Sequence, residues 1–151
     1  MDKIKVFWDN FLKDTQRDLK TTYIEVFHFE LTEKLAKELL DLVLAGKKKA
    51  TAASLKSYEI SQEPIPKPGD LSIVTDFNGN PKCVIETTKV QIIPFNEMTY
   101  EICKREGEDD SLESWKQGHK RFYEAEGKMM GYKFSEDLLV CFEDFEMIYQ
   151  R

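Results

Sequence analysis

The stretch from Leu71 to Ile93 restricts this chain most. Leu71-Ser-Ile-Val-Thr-Asp76 is rich in β-branched residues, Asn78-Gly79 follows, and Cys83-Val-Ile-Glu-Thr-Thr-Lys-Val-Gln-Ile-Ile93 is a long second run of the same kind. An Asn-Gly pair between two such runs favours a tight hairpin, because its central positions require the positive φ that these two residues tolerate best. The segment therefore predicts two antiparallel strands. Tyr23 to Phe29, Ala50 to Ala53 and Leu138 to Tyr149 read as three further strands. With helical patterns between them, the expected class is α+β: a mostly antiparallel sheet that curls around a core and is flanked by helices.

The helical patterns are amphipathic. Ile4, Phe7, Phe11 and Thr15 recur at helical spacing and predict a helix over residues 2–20, packed on the main body through Trp8 and Phe11. Thr32 is the expected N-cap of a helix running to Ala45, with Leu35, Leu39, Leu42 and Val43 inward and Gly46 as its stop. Pro64, Pro66 and Pro68 make a stiff connection. After Pro94, Asn96 or Thr99 caps a helix through Lys104 to Glu108, and the acidic run Glu106 to Asp110 reads as a solvated loop. Ser111 caps a helix from Leu112 to about Glu124. No repeat or linker divides residues 1–151, so the expectation is one domain, with residues 1–20 as a helix packed on it.

Composition narrows the function. The net charge of −6 disfavours an extended nucleic-acid track, whose affinity rests on phosphate neutralisation, and favours a small ligand or a short contact. Lys47, Lys48 and Lys49 are the one local concentration of positive charge. Cys83, Cys103 and Cys141 are far apart and form no Cys-x-x-Cys pair, which predicts reduced thiols and no zinc site. No Gly-rich dinucleotide loop, phosphate-binding P-loop or serine nucleophile elbow occurs, and no cofactor or metal is expected. The start, Met1-Asp2-Lys3-Ile4, lacks a signal-peptide pattern and no run reaches the roughly 18 apolar residues of a membrane span, so cytoplasmic residence without membrane contact is the expectation.

Three features carry chemistry. Gly46-Lys-Lys-Lys-Ala-Thr-Ala-Ala-Ser54 places Thr51 three residues after Lys48; it is either a glycine stop whose lysines complement the helix dipole, or the edge of a site. Glu86 shares a strand face with Val84 and Val90, which suits a cleft-facing carboxylate or a solvated edge. Leu112, Trp115, His119, Phe122 and Tyr123 form one helical stripe, which serves either as core or as a pocket wall.

These residues give the chain a resemblance to the ASCH domain family, whose fold is a PUA-like β-barrel. It rests on Leu44 to Ser54, on Pro66-Lys-Pro-Gly-Asp70, on Cys83-Val-Ile-Glu-Thr-Thr-Lys89, and on Glu106 to Trp115 with His119, Arg121, Phe122 and Cys141-Phe-Glu-Asp-Phe145. The last block is similar to a bacterial subgroup of that family. Relatives are associated with RNA binding, ribonuclease activity or hydrolysis of acylated cytidines. In the amidohydrolase-like members a Lys, a Thr three residues on and a strand Glu form the working set, and the matching positions here are Lys48, Thr51 and Glu86. Lys49 departs from the hydroxyl residue expected there, and its charge favours phosphate over a neutral nucleoside.

The resemblance implies an RNA, nucleoside or nucleotide partner. Thr51 is the expected nucleophile, Lys48 its base and Glu86 the group that orients the lysine or carries the leaving-group proton. Lys47, Lys49, Ser54, Tyr58, Trp115 and His119 are the expected substrate-binding residues, with Trp115 stacking on a base. Three functions remain open: amide hydrolysis on a modified nucleoside such as N4-acylcytidine, non-catalytic RNA binding, and cleavage of single-stranded RNA.

Overall fold

The computed structural model describes residues 2–151. Five strands, β1 (Glu25–Phe27), β2 (Ala50–Ser54), β3 (Leu71–Thr75), β4 (Pro81–Pro94) and β5 (Leu139–Gln150), form one sheet in the order β1-β3-β4-β5-β2. Only β1 and β3 run parallel; the other three pairings are antiparallel. The helices are α1 (Lys3–Asp14), α2 (Glu33–Leu44), α3 (Leu55–Ser61), α4 (Tyr100–Cys103) and α5 (Leu112–Met130). The result is an α+β fold in which a curled, mostly antiparallel half-barrel carries helices on its flanks, as the sequence pattern predicts.

Helix ends follow their capping chemistry. Asp2 accepts from the amides of Ile4 and Lys5, Thr32 from Leu35 and Ser111 from Ser114. α1 stops at Asp14, six residues before the expected end at residue 20. Gln16 takes a left-handed φ of 56°, its amide bonding Lys13 O at 3.2 Å while Arg17 N bonds Leu12 O at 2.9 Å. This pair of bonds closes a helix C-terminus without glycine, which is why composition gave no stop signal. α5 runs past Glu124 to Met130, and Gly131, with φ of 94°, ends it.

The sheet is covered on both faces. α1 lays Phe7, Trp8, Phe11 and Leu12 against Leu71, Ile73 and Val84, each large side chain contributing about 1.5–3 kcal/mol of burial. On the opposite face, Leu40 and Val43 of α2 pack with Phe29 against Val74, Cys83, Ile85 and Phe145. A third cluster joins α5 to β2 and β5 through Trp115, Tyr123, Ala50, Ala52, Val140 and Phe142. Residues 83, 84 and 85 are therefore all buried, alternating between the α1 side and the α2 side. A register shift at Val84/Ile85 leaves the extra residue, Ile148, on β5, whereas the shift at Thr87/Lys89 places the extra residue, Thr88, on β4 and breaks its alternation beyond Thr87.

Candidate functional site

Gly46 does what the sequence predicts. With φ of 76° it ends α2, and Gly46 N bonds Val43 O at 3.0 Å while Lys47 N bonds Leu42 O at 2.9 Å. The turn sends Lys47 and Lys49 into solvent and Lys48 inward, where it is only 2% exposed. The Lys48 ammonium donates to Ala50 O at 2.7 Å, to Glu106 Oε1 at 3.3 Å and to Glu108 Oε2. These account for all three of its donors. Phe29 lies beneath it, with Nζ 5.3 Å from the ring centroid.

Both carboxylates come from the acidic run, and here the solvated-loop expectation is corrected. Glu106 is 1% exposed and Glu108 is partly buried, although Gly107 and Asp110 between and after them face solvent. The loop is clamped: Lys49 N bonds Arg105 O at 3.0 Å, and the Arg105 guanidinium grips Asp144 of β5 through two bonds of 2.7 and 3.0 Å. Gly107 passes so close to the strand entrance that a Cβ there would lie 2.3 Å from Lys47 O. Only glycine fits, both for that contact and for its φ of 69°.

α5 completes the cluster. Trp115 is fully buried, stacks on Phe95 and His119, and donates its Nε1 hydrogen to Glu106 Oε2. It is a packed support, not a free face for a ligand base. His119 has Nδ1 2.9 Å from Trp115 O and Nε2 3.2 Å from Glu106 Oε2. Both partners are acceptors, an arrangement that favours the doubly protonated imidazolium over either neutral tautomer.

The charges follow. Burial alone would neutralise these groups, yet the charges of His119 and Lys48 outweigh it and hold Glu106 well below the usual carboxylate range. Lys48 and His119 are likewise raised, despite burial, by Glu106 and Glu108. Glu108 differs: burial first, then the charge of Glu106 against the opposing pull of Lys48, push it up to about 7. Lys48 is thus a permanent ammonium, which removes it as a general base, while Glu108 can gain or lose a proton near neutral pH. Glu106, Glu108 and His119 also bring ligand atoms within 4.8 Å of one another, a donor set suited to a small divalent ion. Both carboxylates already hold the Lys48 ammonium, so an ion would have to expel a like charge.

His119 gives a direct check. Its folded pKa lies above the ordinary 6.5, so its contribution to stability is full below about pH 6.5 and is lost as pH rises through the folded value. An NMR titration of the imidazole will show a midpoint above that of free histidine, and Glu106→Gln will lower it. A midpoint at or below about 6.5 in the unmodified protein would contradict the ion pair.

The cluster opens onto a cavity of about 240 Å³ lined by Lys48, Thr51, Glu106, Glu108, His119 and Phe29, with Arg121 and Phe122 among its other walls. Lys48 and Thr51 thus line one pocket. Glu86 does not join them. It keeps the face of Val84, as alternation requires, but that is the α1 side, whereas the cavity lies on the side of α2 and Phe29. Glu86 sits between Leu71 and the exposed Glu146, lining no described cavity. Ser54 is buried too: it caps α3 through Ser57 N at 3.1 Å and donates to Glu126 at 2.6 Å. Tyr58 lines a neighbouring compartment, and Lys47 and Lys49 line neither.

The ASCH domain family matches residues 25–149, most of the chain. This chain belongs to the ASCH domain family. Two solved structures are similar to this ASCH domain over nearly its whole length. The ASCH domain from Lactobacillus crispatus JV V101 is 31% identical with a TM-score of 0.88, covering 99% of this chain and 96% of that one. Protein EF3133 from Enterococcus faecalis V583 is 32% identical with a TM-score of 0.87, covering 97% and 88%. No curated protein matches the sequence. Among the described residues, no helix of this ASCH domain is long and apolar enough to cross a membrane.

The residues that sequence reasoning missed are Glu106 and Glu108. Two signals pointed to them: a glycine set between two glutamates, and Trp115 and His119 following at distances that let one helix face reach back to the loop.

Proposed function

We propose that this ASCH domain hydrolyses an amide on an uncharged, nucleoside-sized ligand, N4-acylcytidine being the type compound. One observation carries the reading: a buried ammonium, Lys48, is held between two carboxylates on the wall of a cavity that also contains a hydroxyl, Thr51. The cavity is lined by five carboxylates, Glu30, Glu38, Glu106, Glu108 and Asp109, against Lys48, Arg121 and the His119 imidazolium. That balance repels a phosphate and admits a neutral ligand.

In this scheme the proton carrier is Glu108 rather than Glu86 or Lys48. Glu108 takes the Thr51 hydroxyl proton as the oxygen attacks the amide carbon. The oxyanion that develops is met by the Lys48 ammonium, which is freed from Glu108 when that carboxylate becomes protonated. The carbon–nitrogen bond breaks as Glu108 returns the proton to the leaving amine. Water then hydrolyses the Thr51 ester by the same relay. Glu106, held by Trp115 and His119, fixes the lysine throughout.

The test is release of cytidine and acetate from N4-acetylcytidine by the purified protein. Thr51→Ala and Glu108→Gln should each lower kcat/KM by about 10²–10⁴, while Glu86→Gln changes it by less than about twofold. The rate should climb with pH through about 7 as Glu108 ionises. No release, or release indifferent to Thr51→Ala, overturns hydrolysis. A second reading, a non-catalytic module for short RNA, is favoured by the exposed Lys47 and Lys49 beside the cavity. It requires binding with a logarithmic salt slope of about −2, lost in the Lys47→Ala/Lys49→Ala variant.

A further inference from the structure

Past Thr51 and Ala52 the cleft continues into a second compartment of about 290 Å³, which shares Phe29, Glu30 and Phe122 with the first. Its aromatic and apolar walls come from Phe27, Tyr58, Phe122 and Met130. Its charged lining is of one sign. Glu25 of β1, Glu143 of β5 and Glu63 beyond α3 face it, and no lysine or arginine does.

Two other carboxylates on this lining are spoken for: Glu30 pairs with Arg121, and Glu126 accepts from Ser54 and Tyr132. Glu143 is not satisfied in this way. Only 3% of it is exposed, its Oε2 accepts from Thr87 Oγ1 at 2.6 Å, and among the described residues nothing bonds its Oε1. Glu25, half-buried, has no cationic partner either among the described residues, while Glu63 is exposed at the rim. Burial, with the charges of Glu143 and Glu63 added, pushes Glu25 up to about 7, and burial raises Glu143 as well. A buried carboxylate without a counter-charge is costly, and the cost is relieved by a cation brought in from outside.

The geometry selects the kind of cation. Oxygens from Glu25, Glu63 and Glu143 do not form a trio within 4.8 Å, the closeness that Glu106, Glu108 and His119 do reach, so they do not converge as ligands of a single small ion. Spread carboxylates around an aromatic chamber suit a larger cation, whose charge is also attracted by ring faces.

We propose that this compartment binds an organic ammonium, a primary amine on a short carbon chain, with its head directed at Glu143 and Glu25 and its methylenes along Phe27, Tyr58 and Met130. The assignment goes beyond hydrolysis at Lys48 and does not depend on it. A ligand filling both compartments is an uncharged group at Thr51 that carries an aliphatic amine.

The experiment is an NMR titration of the isotope-labelled full chain with n-butylamine, with 1-butanol as the uncharged counterpart, at low salt and about pH 8 where Glu25 is ionised. Butylamine should give saturable shifts at Glu25, Phe27, Ala53, Tyr58 and Met130 in the roughly millimolar range, and butanol should bind at least about tenfold more weakly. Glu143→Gln keeps the acceptor for Thr87 and should weaken butylamine about fivefold or more; Glu25→Gln, on an edge strand, should do the same if the first variant does not fold. Magnesium chloride should leave these resonances unmoved. Equal binding of butanol, no saturable shift, retention of butylamine affinity in a folded glutamine variant, or equivalent shifts with magnesium would each overturn the assignment. The readout is binding, so inactivity on N4-acetylcytidine leaves it untouched.

Discussion

Glu106→Ala will cost about 3–5 kcal/mol of folding stability, the loss characteristic of breaking a buried charge network from one side. The carboxylate is bonded by Lys48, Trp115 and His119 at once. Its removal leaves two buried cations facing Glu108 alone and an indole hydrogen with no acceptor. Urea unfolding of the full chain measures the effect as a lower midpoint at unchanged slope. Adding Lys48→Met should restore part of the loss, because the lysine then needs no partner; a coupling of about 1–3 kcal/mol is expected for residues in one network. A loss below about 1 kcal/mol for Glu106→Ala would place this carboxylate with ordinary surface ion pairs and remove the physical basis of the site.

Gly107→Ala will be nearly as damaging although it removes no interaction. The added Cβ would meet the Lys47 carbonyl oxygen at 2.3 Å and its carbon at 2.8 Å. Both are backbone atoms at the mouth of β2, so neither can swing aside. The left-handed φ of 69° adds strain for any side chain. Together they predict a loss of about 2–4 kcal/mol. The variant also has a chemical signature, since displacing the loop pulls Glu106 from His119 and lowers the imidazole midpoint. Gly118→Ala is the control: nothing lies within 4 Å of its Cβ, and in mid-helix it should be neutral or stabilising by up to about 1 kcal/mol. Equal behaviour of the two variants would refute the close-approach account.

These two positions also mark the limit of what could be read before the structure. Local signals sufficed where one residue determines the geometry: Gly46 as a helix stop, Thr32 and Ser111 as caps, Asn78-Gly79 as a hairpin. They sufficed for the antiparallel pairing of β3 with β4 too, since two strand-forming runs joined by a tight turn leave few arrangements. Glu86 went astray for a tertiary reason. Alternation gave its face correctly, but not which helix covers that face, and α1 rather than the cleft lies on that side. Glu106 and Glu108 went astray for an electrostatic one. In sequence an acidic run looks solvated, and its burial becomes affordable only once Lys48, fifty-eight residues away, supplies the opposite charge.

β2 lies at the margin of the sheet and has β5 as its one paired strand, Thr51 opposite Glu143 and Ala53 opposite Cys141. During synthesis the strand that carries Thr51 has no pairing partner until translation has passed Leu139. Lys48, Thr51, Glu106, Glu108 and His119 all precede the last strand in the chain, yet the strand that carries Thr51 is paired only by it. Assembly of the proposed site is therefore a late event of chain completion, and a chain clipped before Leu139 is expected to lack it, however well its first hairpin forms.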